Sequence, residues 1–133
     1  MTSRALLVVT LPLAAMLTAC GGGDATSRVD LSDKTFTNMT SSPEVEVQAR
    51  DNVFVPAYVE VSKGTTITFT NDGRNPHNVL PVDDGAFPPI EADDLQPDDT
   101  GTVTFDQVGD FPYYCSLHGT TTRGMVGGIR VVE

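Results

Sequence analysis

The chain has 133 residues, two histidines, two cysteines and a formal net charge of −10. That length carries one domain. The charge disfavours nucleic acid and anionic lipid surfaces as partners, and favours a basic protein partner or plain solubility. At the start of the chain, residues 1–19 read as a secretory signal. Met1 to Arg4 carries one positive charge, Ala5 to Met16 is apolar and free of acids, and small residues lead to Cys20. The apolar run is short and contains Pro12, which argues against a spanning helix.

Leu17-Thr18-Ala19-Cys20 resembles the bacterial lipobox. The resemblance implies that Cys20 becomes the first mature residue and is acylated. The protein is then exported and lipid-anchored to the cell membrane, facing the periplasm or the cell exterior. The alternative is an ordinary signal in which Cys20 is incidental. Loss of Arg4 with the signal takes the charge from −10 to −11. With Cys20 acylated, Cys115 is left as a lone thiol in an oxidising compartment. Such a thiol is buried, paired between chains or bound to metal.

Residues 20–43 read as a flexible tether. They hold Gly21-Gly22-Gly23, many Ser and Thr, and few large apolar residues. A coil of that length spans on the order of 25 Å. Phe36 and Met39 are exceptions that would suit a short turn packed on the domain. The folded domain is placed at 44–133. Val45 and Val47 alternate with polar residues, as do Val59 and Val61. Lys63-Gly64 turns the chain into Thr65–Thr70, and Asn71-Asp72-Gly73 turns it again. Val103 and Phe105, Tyr113 and Cys115, and Ile129 and Val131 repeat the pattern. Period-two alternation with β-branched residues predicts an all-β sandwich of seven to eight strands. Pro81 to Asp99 reads as a loop with at most a short helical turn. The expected core is Phe54, Tyr58, Ile67, Phe69, Phe105, Phe111, Tyr113 and Val131.

The chemistry lies in a few rare side chains. His77 sits in Asn75-Pro76-His77-Asn78-Val79. Cys115 and His118 sit in Tyr114-Cys115-Ser116-Leu117-His118-Gly119, and Met125 follows in Gly124-Met125-Val126-Gly127. A thiolate, two imidazoles and a thioether suit one copper ion. Two His and a Cys in a trigonal set, with a long axial Met, make an electron-transfer site.

Tyr-Cys-Ser-Leu-His and the terminal Gly-Met-Val-Gly-Gly-Ile-Arg-Val resemble the metal loop and last strand of the cupredoxins, in particular plastocyanins and halocyanins. Asn-Pro-His-Asn-Val resembles their upstream ligand segment. The resemblance spans roughly Val53 to Val132. It implies a Greek-key β-sandwich with a type 1 (blue) copper at one end, held by His77, Cys115, His118 and Met125. It also implies that the Asn78 side chain ties the two ligand segments together. The chain departs from plastocyanins in one respect: the loop between His118 and Met125 is longer. The alternative for Met125 is a packing residue at the start of a strand.

These features predict a monomeric one-electron carrier, not an enzyme, working with a redox protein partner that is basic. A copper storage or delivery protein would share the fold, but would carry extra surface Met and His. Multicopper or nitrite-reducing enzymes need further histidines, and both are already used. Zinc is chemically compatible with a Cys and two His, though copper(II) binds such ligands more tightly. Between Asn75 and Thr122 lie Asp83, Asp84, Glu91, Asp93, Asp94, Asp98, Asp99, Asp106 and Asp110, with no Lys or Arg among them.

Overall fold

Strands account for nearly all regular structure in the computed structural model, which describes residues 28–133. The signal segment 1–19, Cys20 and the first part of the expected tether lie outside the described residues. Among the described residues nine strands form: β1 (Thr37–Asn38), β2 (Glu44–Arg50), β3 (Val53–Val55), β4 (Tyr58–Ser62), β5 (Thr65–Asn71), β6 (Leu80–Pro81), β7 (Thr100–Phe105), β8 (Gly109–Gly119) and β9 (Gly124–Val132). One sheet has the order β1-β4-β9-β8-β6 and the other β3-β2-β5-β7. Parallel pairing of β2 with β5, and of β4 with β9, reflects crossings between the two sheets. The all-β sandwich predicted from alternation is therefore present. The strands beyond the expected seven to eight include β1 and β6, two-residue pairings at sheet edges that are too short to show alternation.

Parity fills the core. In β2, Val45, Val47 and Ala49 are buried; in β4, Val59 and Val61; in β5, Thr65, Ile67, Phe69 and Asn71. Phe54, Phe69 and Tyr113 meet edge to face, with ring centroids 4.8–6.4 Å apart. Of the expected core, Tyr58 and Phe111 are only partly buried. Tyr58 has the outward parity of β4 and stacks on Phe36 at 5.9 Å, while Phe111 packs on Phe105 from the rim. The 81–99 segment is irregular as expected. It contains one short 3-10 turn at Ala92–Asp94 and a bridge between Val79 and Ile90.

Residues 28–43, expected as part of the tether, lie against the sandwich. Val29 and Leu31 are buried, and Arg28 pairs with Asp83 at 3.1 Å. Phe36 stacks on Tyr58, and β1 pairs in parallel with β4. The reason is local fit. Gly128 leaves the outer face of β9 open to Leu31, and a Cβ there would stand 2.7 Å from Leu31 Cδ2. Two well-placed aliphatic side chains thus anchor a segment whose composition reads as unstructured. Fully burying each is worth about 1.5–3 kcal/mol.

Candidate metal centre

Cys115 inherits its direction from β8. Tyr113 points into the core, and Cys115, two residues on, points the same way and is fully buried. Met125 is likewise the first of the inward residues of β9, followed by Gly127, Ile129 and Val131. His118 arrives by a different device. The β8–β9 register runs from Tyr114 opposite Val126 directly to Gly119 opposite Gly124. Residues 115–118 therefore bulge out opposite Met125 alone. Such a bulge re-aims side chains, here bringing His118 back over Cys115.

Two glycines permit the strands to close again beyond the bulge. Gly124 has φ +84°, and a Cβ there would meet the His118 carbonyl oxygen at 2.7 Å. A Cβ at Gly119 would stand 2.6 Å from Met125 N. Past this closure, residues 120–123 form a small hairpin tip, with the Thr120 N–H donating to the Arg123 carbonyl at 2.8 Å. The extra loop length is thus taken up outside the bulge, and Met125 remains buried within the core.

His77 comes from the loop after β5. It is fully buried, and its backbone N–H donates to the Leu95 carbonyl at 3.2 Å. His77 Nδ1 and His118 Nδ1 each lie 3.7 Å from Cys115 Sγ, and the ligand atoms of the three residues fall within 4.8 Å of one another. A point shared by three atoms spaced in this way lies roughly 2–2.5 Å from each, the range of first-row metal bonds to imidazole nitrogen and thiolate sulfur. The donors therefore fit one small, thiophilic metal ion such as copper. Burial, with the nearby His118, holds the His77 pKa below the ordinary value, which favours the neutral ring, the form that ligates.

Asn78 joins the two ligand segments. Its Nδ2 donates to Ser116 Oγ at 2.9 Å, its Oδ1 accepts from the Ser116 N–H at 2.8 Å, and its own N–H points at Cys115 Sγ at 3.5 Å. One buried polar residue beside the site, Asn71, carries no functional signal in the sequence, where Asn-Asp-Gly reads as a turn. The structure places it in an inward slot of β5, after Thr65, Ile67 and Phe69.

A model of the copper binding proteins of the plastocyanin/azurin family matches residues 41–132. The chain belongs to this family. Its relatives include the chloroplastic plastocyanin of Fritillaria agrestis, 40% identical over 87 residues, or 59% of this chain and 51% of that one. The plastocyanin of Vicia faba is 37% identical over 99 residues, or 66% of this chain and 98% of the relative. The chain thus spans about half the length of the first and nearly all of the second. Similar solved structures include a purple cupredoxin from Nitrosopumilus maritimus, with TM-score 0.52 and 26% identity, covering 66% of this chain and 99% of that one. A copper-containing nitrite reductase from Thermus scotoductus matches with TM-score 0.53 and 27% identity, over 68% of this chain but only 22% of that one. The cupredoxin resemblance read from the two ligand segments is therefore a family membership, and the His, Cys, His set is compatible with one copper ion.

Proposed function

We propose that the protein is a one-electron carrier with a single blue-copper site. His77 Nδ1, Cys115 Sγ and His118 Nδ1 are its strong ligands and Met125 its weak axial one. The reading is carried by the convergence of one thiol and two imidazoles within 4.8 Å at one end of the sandwich. Bound copper would supply a Cu(II)/Cu(I) couple. The chain's part is to hold the donors still. Cys115 stands on a strand whose Tyr113 is locked among aromatic rings, and Asn78 bonds the His77 segment to Ser116. Such outer bonds fix ligand orientation. His118 is half-buried and Leu117 beside it is 52% exposed. This places one ligand ring at the surface where a partner can approach.

The carrier is not an enzyme in its own right, because further copper centres need further histidines and the chain has two in all. The partner is a redox protein with a basic surface, met transiently by a monomer. In support, the acids at positions 83, 84, 91, 93, 94, 98 and 99 are all exposed, and the 91–99 segment bonds directly to the loop that carries His77. Export and acylation at Cys20 would hold the domain at the membrane outside the cytoplasm. The deciding measurement is the absorption spectrum of the mature protein with Cu(II). An intense visible band from thiolate charge transfer should appear and bleach with ascorbate. Cys115→Ser should abolish it while the β-sheet circular dichroism persists. An undiminished band in that variant would refute the site.

A further inference from the structure

We propose that Asn71 is the positioning residue for His77, acting through three hydrogen bonds that join the chain segments around the imidazole. Asn71 ends β5 in an inward-facing slot and is fully buried. Its Nδ2 donates to the carbonyl oxygens of Asn75 and Leu95, each at 2.9 Å. Its Oδ1 accepts from the Gly73 N–H, also at 2.9 Å. The Leu95 carbonyl is shared, since it also accepts the His77 backbone N–H at 3.2 Å. One side chain thus fixes the loop two and four residues before His77, and the carbonyl to which His77 itself is bonded.

The far side of the ring shows why this matters. His77 Nε2 is buried and, among the described residues, has no hydrogen-bond partner. A metal-ligating histidine is ordinarily oriented by a bond from its other ring nitrogen. Here that bond is absent, so orientation falls to packing and to the loop. Gly73, whose N–H Asn71 holds, lies against this nitrogen: a Cβ at Gly73 would stand 3.0 Å from Nε2. The Asn71 backbone is pinned in turn, with its N–H donating to the Asp99 carbonyl at 2.9 Å and its carbonyl accepting from the Asp98 N–H at 3.0 Å. A fully satisfied buried amide of this kind rigidifies its surroundings. The role rests on His77 being a copper ligand, but the framework itself does not require the metal.

Hydrogen exchange on the metal-free mature protein tests the framework, and the copper spectrum tests its consequence. In the unaltered protein the two Asn71 Nδ2 protons should be strongly protected. Asn71→Asp keeps the shape and the acceptor for Gly73 but sets an oxygen against two carbonyls. It should speed exchange of the His77 backbone N–H about tenfold, while the amides of Val47 and Ile129 hold their protection. Loaded with Cu(II), the same variant should show an altered visible spectrum and copper hyperfine splitting. A merely structural role would lower thermal stability and leave both signals unchanged. Unprotected Asn71 side-chain protons, or a variant with native His77 exchange and a native copper spectrum, would overturn the assignment. If Asn71→Asp does not fold, the side-chain protons of the unaltered protein decide. A colourless unaltered protein would defeat the copper reading, and the metal-free exchange data would still judge Asn71.

Discussion

At the level of single residues, the candidate donors are scarce side chains. Two histidines serve the whole chain, and the thiol and thioether stand in short segments around glycine turns. Rare side chains in a fixed order carry more information than any propensity. Asn71 shows the opposite case, because asparagine before Asp-Gly is an ordinary turn residue. Only its burial and its three partners distinguish it. Met125 is intermediate. Its parity on β9 aims it into the core beside Cys115, which suits both an axial ligand and a packing residue. The two roles separate by voltammetry. With Met125 as ligand, Met125→Leu should raise the reduction potential, because loss of a donor disfavours Cu(II). Met125→Gln should lower it, because a harder oxygen donor favours Cu(II). Equal potentials in all three proteins would make Met125 a packing residue only.

At the level of elements, the bulge in β8 and the hairpin beyond it divide the work. Residues 115–118 build the site, whereas residues 120–123 lie past the Gly119–Gly124 pair. Replacing Thr120–Arg123 by Asn-Gly, which favours a two-residue turn, should therefore leave the copper band and potential unchanged. A bleached or shifted site would show that the hairpin shapes the ligand loop. The same two strands are stapled at their other end. Asp110 lies opposite Arg130 in register, and the pair makes two bonds of 2.8 and 2.9 Å. The guanidinium holds the Asp110 carboxyl below the usual range. A carboxylate with a depressed folded-state pKa stabilises the fold above its unfolded pKa, about 3.9. That contribution fades as pH falls through the folded value. Because the pair is partly exposed, Asp110→Asn should cost only about 0.5 kcal/mol at neutral pH. In urea titrations the difference from the unaltered protein should vanish once pH falls below the folded value. A difference that persisted there would point to packing in place of charge.

At the level of the whole molecule, the charge distribution and the N-terminal segment set how the domain meets its surroundings. Residues 28–43 cross the outer face of the five-stranded sheet and pair with its edge, so the sandwich carries its own strap. The exposed acids of the 91–99 segment lie beside the loop that carries His77. If they steer a basic partner, the association rate should fall as salt rises, while dissociation changes much less. Replacing Asp93, Asp94, Asp98 and Asp99 with Asn should reproduce the high-salt rate at low salt. Stopped-flow electron transfer with the physiological partner measures both. A rate independent of salt and of the four substitutions would reduce the acids to a solubility role.

Alternation, turn residues and an ordered set of scarce donors determined the fold class and the four candidate ligands, since period-two burial and metal-ligand chemistry are both written in residue type. Tertiary structure decided what depends on partners distant in the chain. Leu31 is buried because Gly128, far along the sequence, leaves it room. The longer loop spares Met125 because Gly119 and Gly124 pair across it. Asn71 frames His77 because the carbonyl of Leu95 is folded back onto both. In each case the deciding quantity is a distance between residues remote in sequence, which local pattern does not encode.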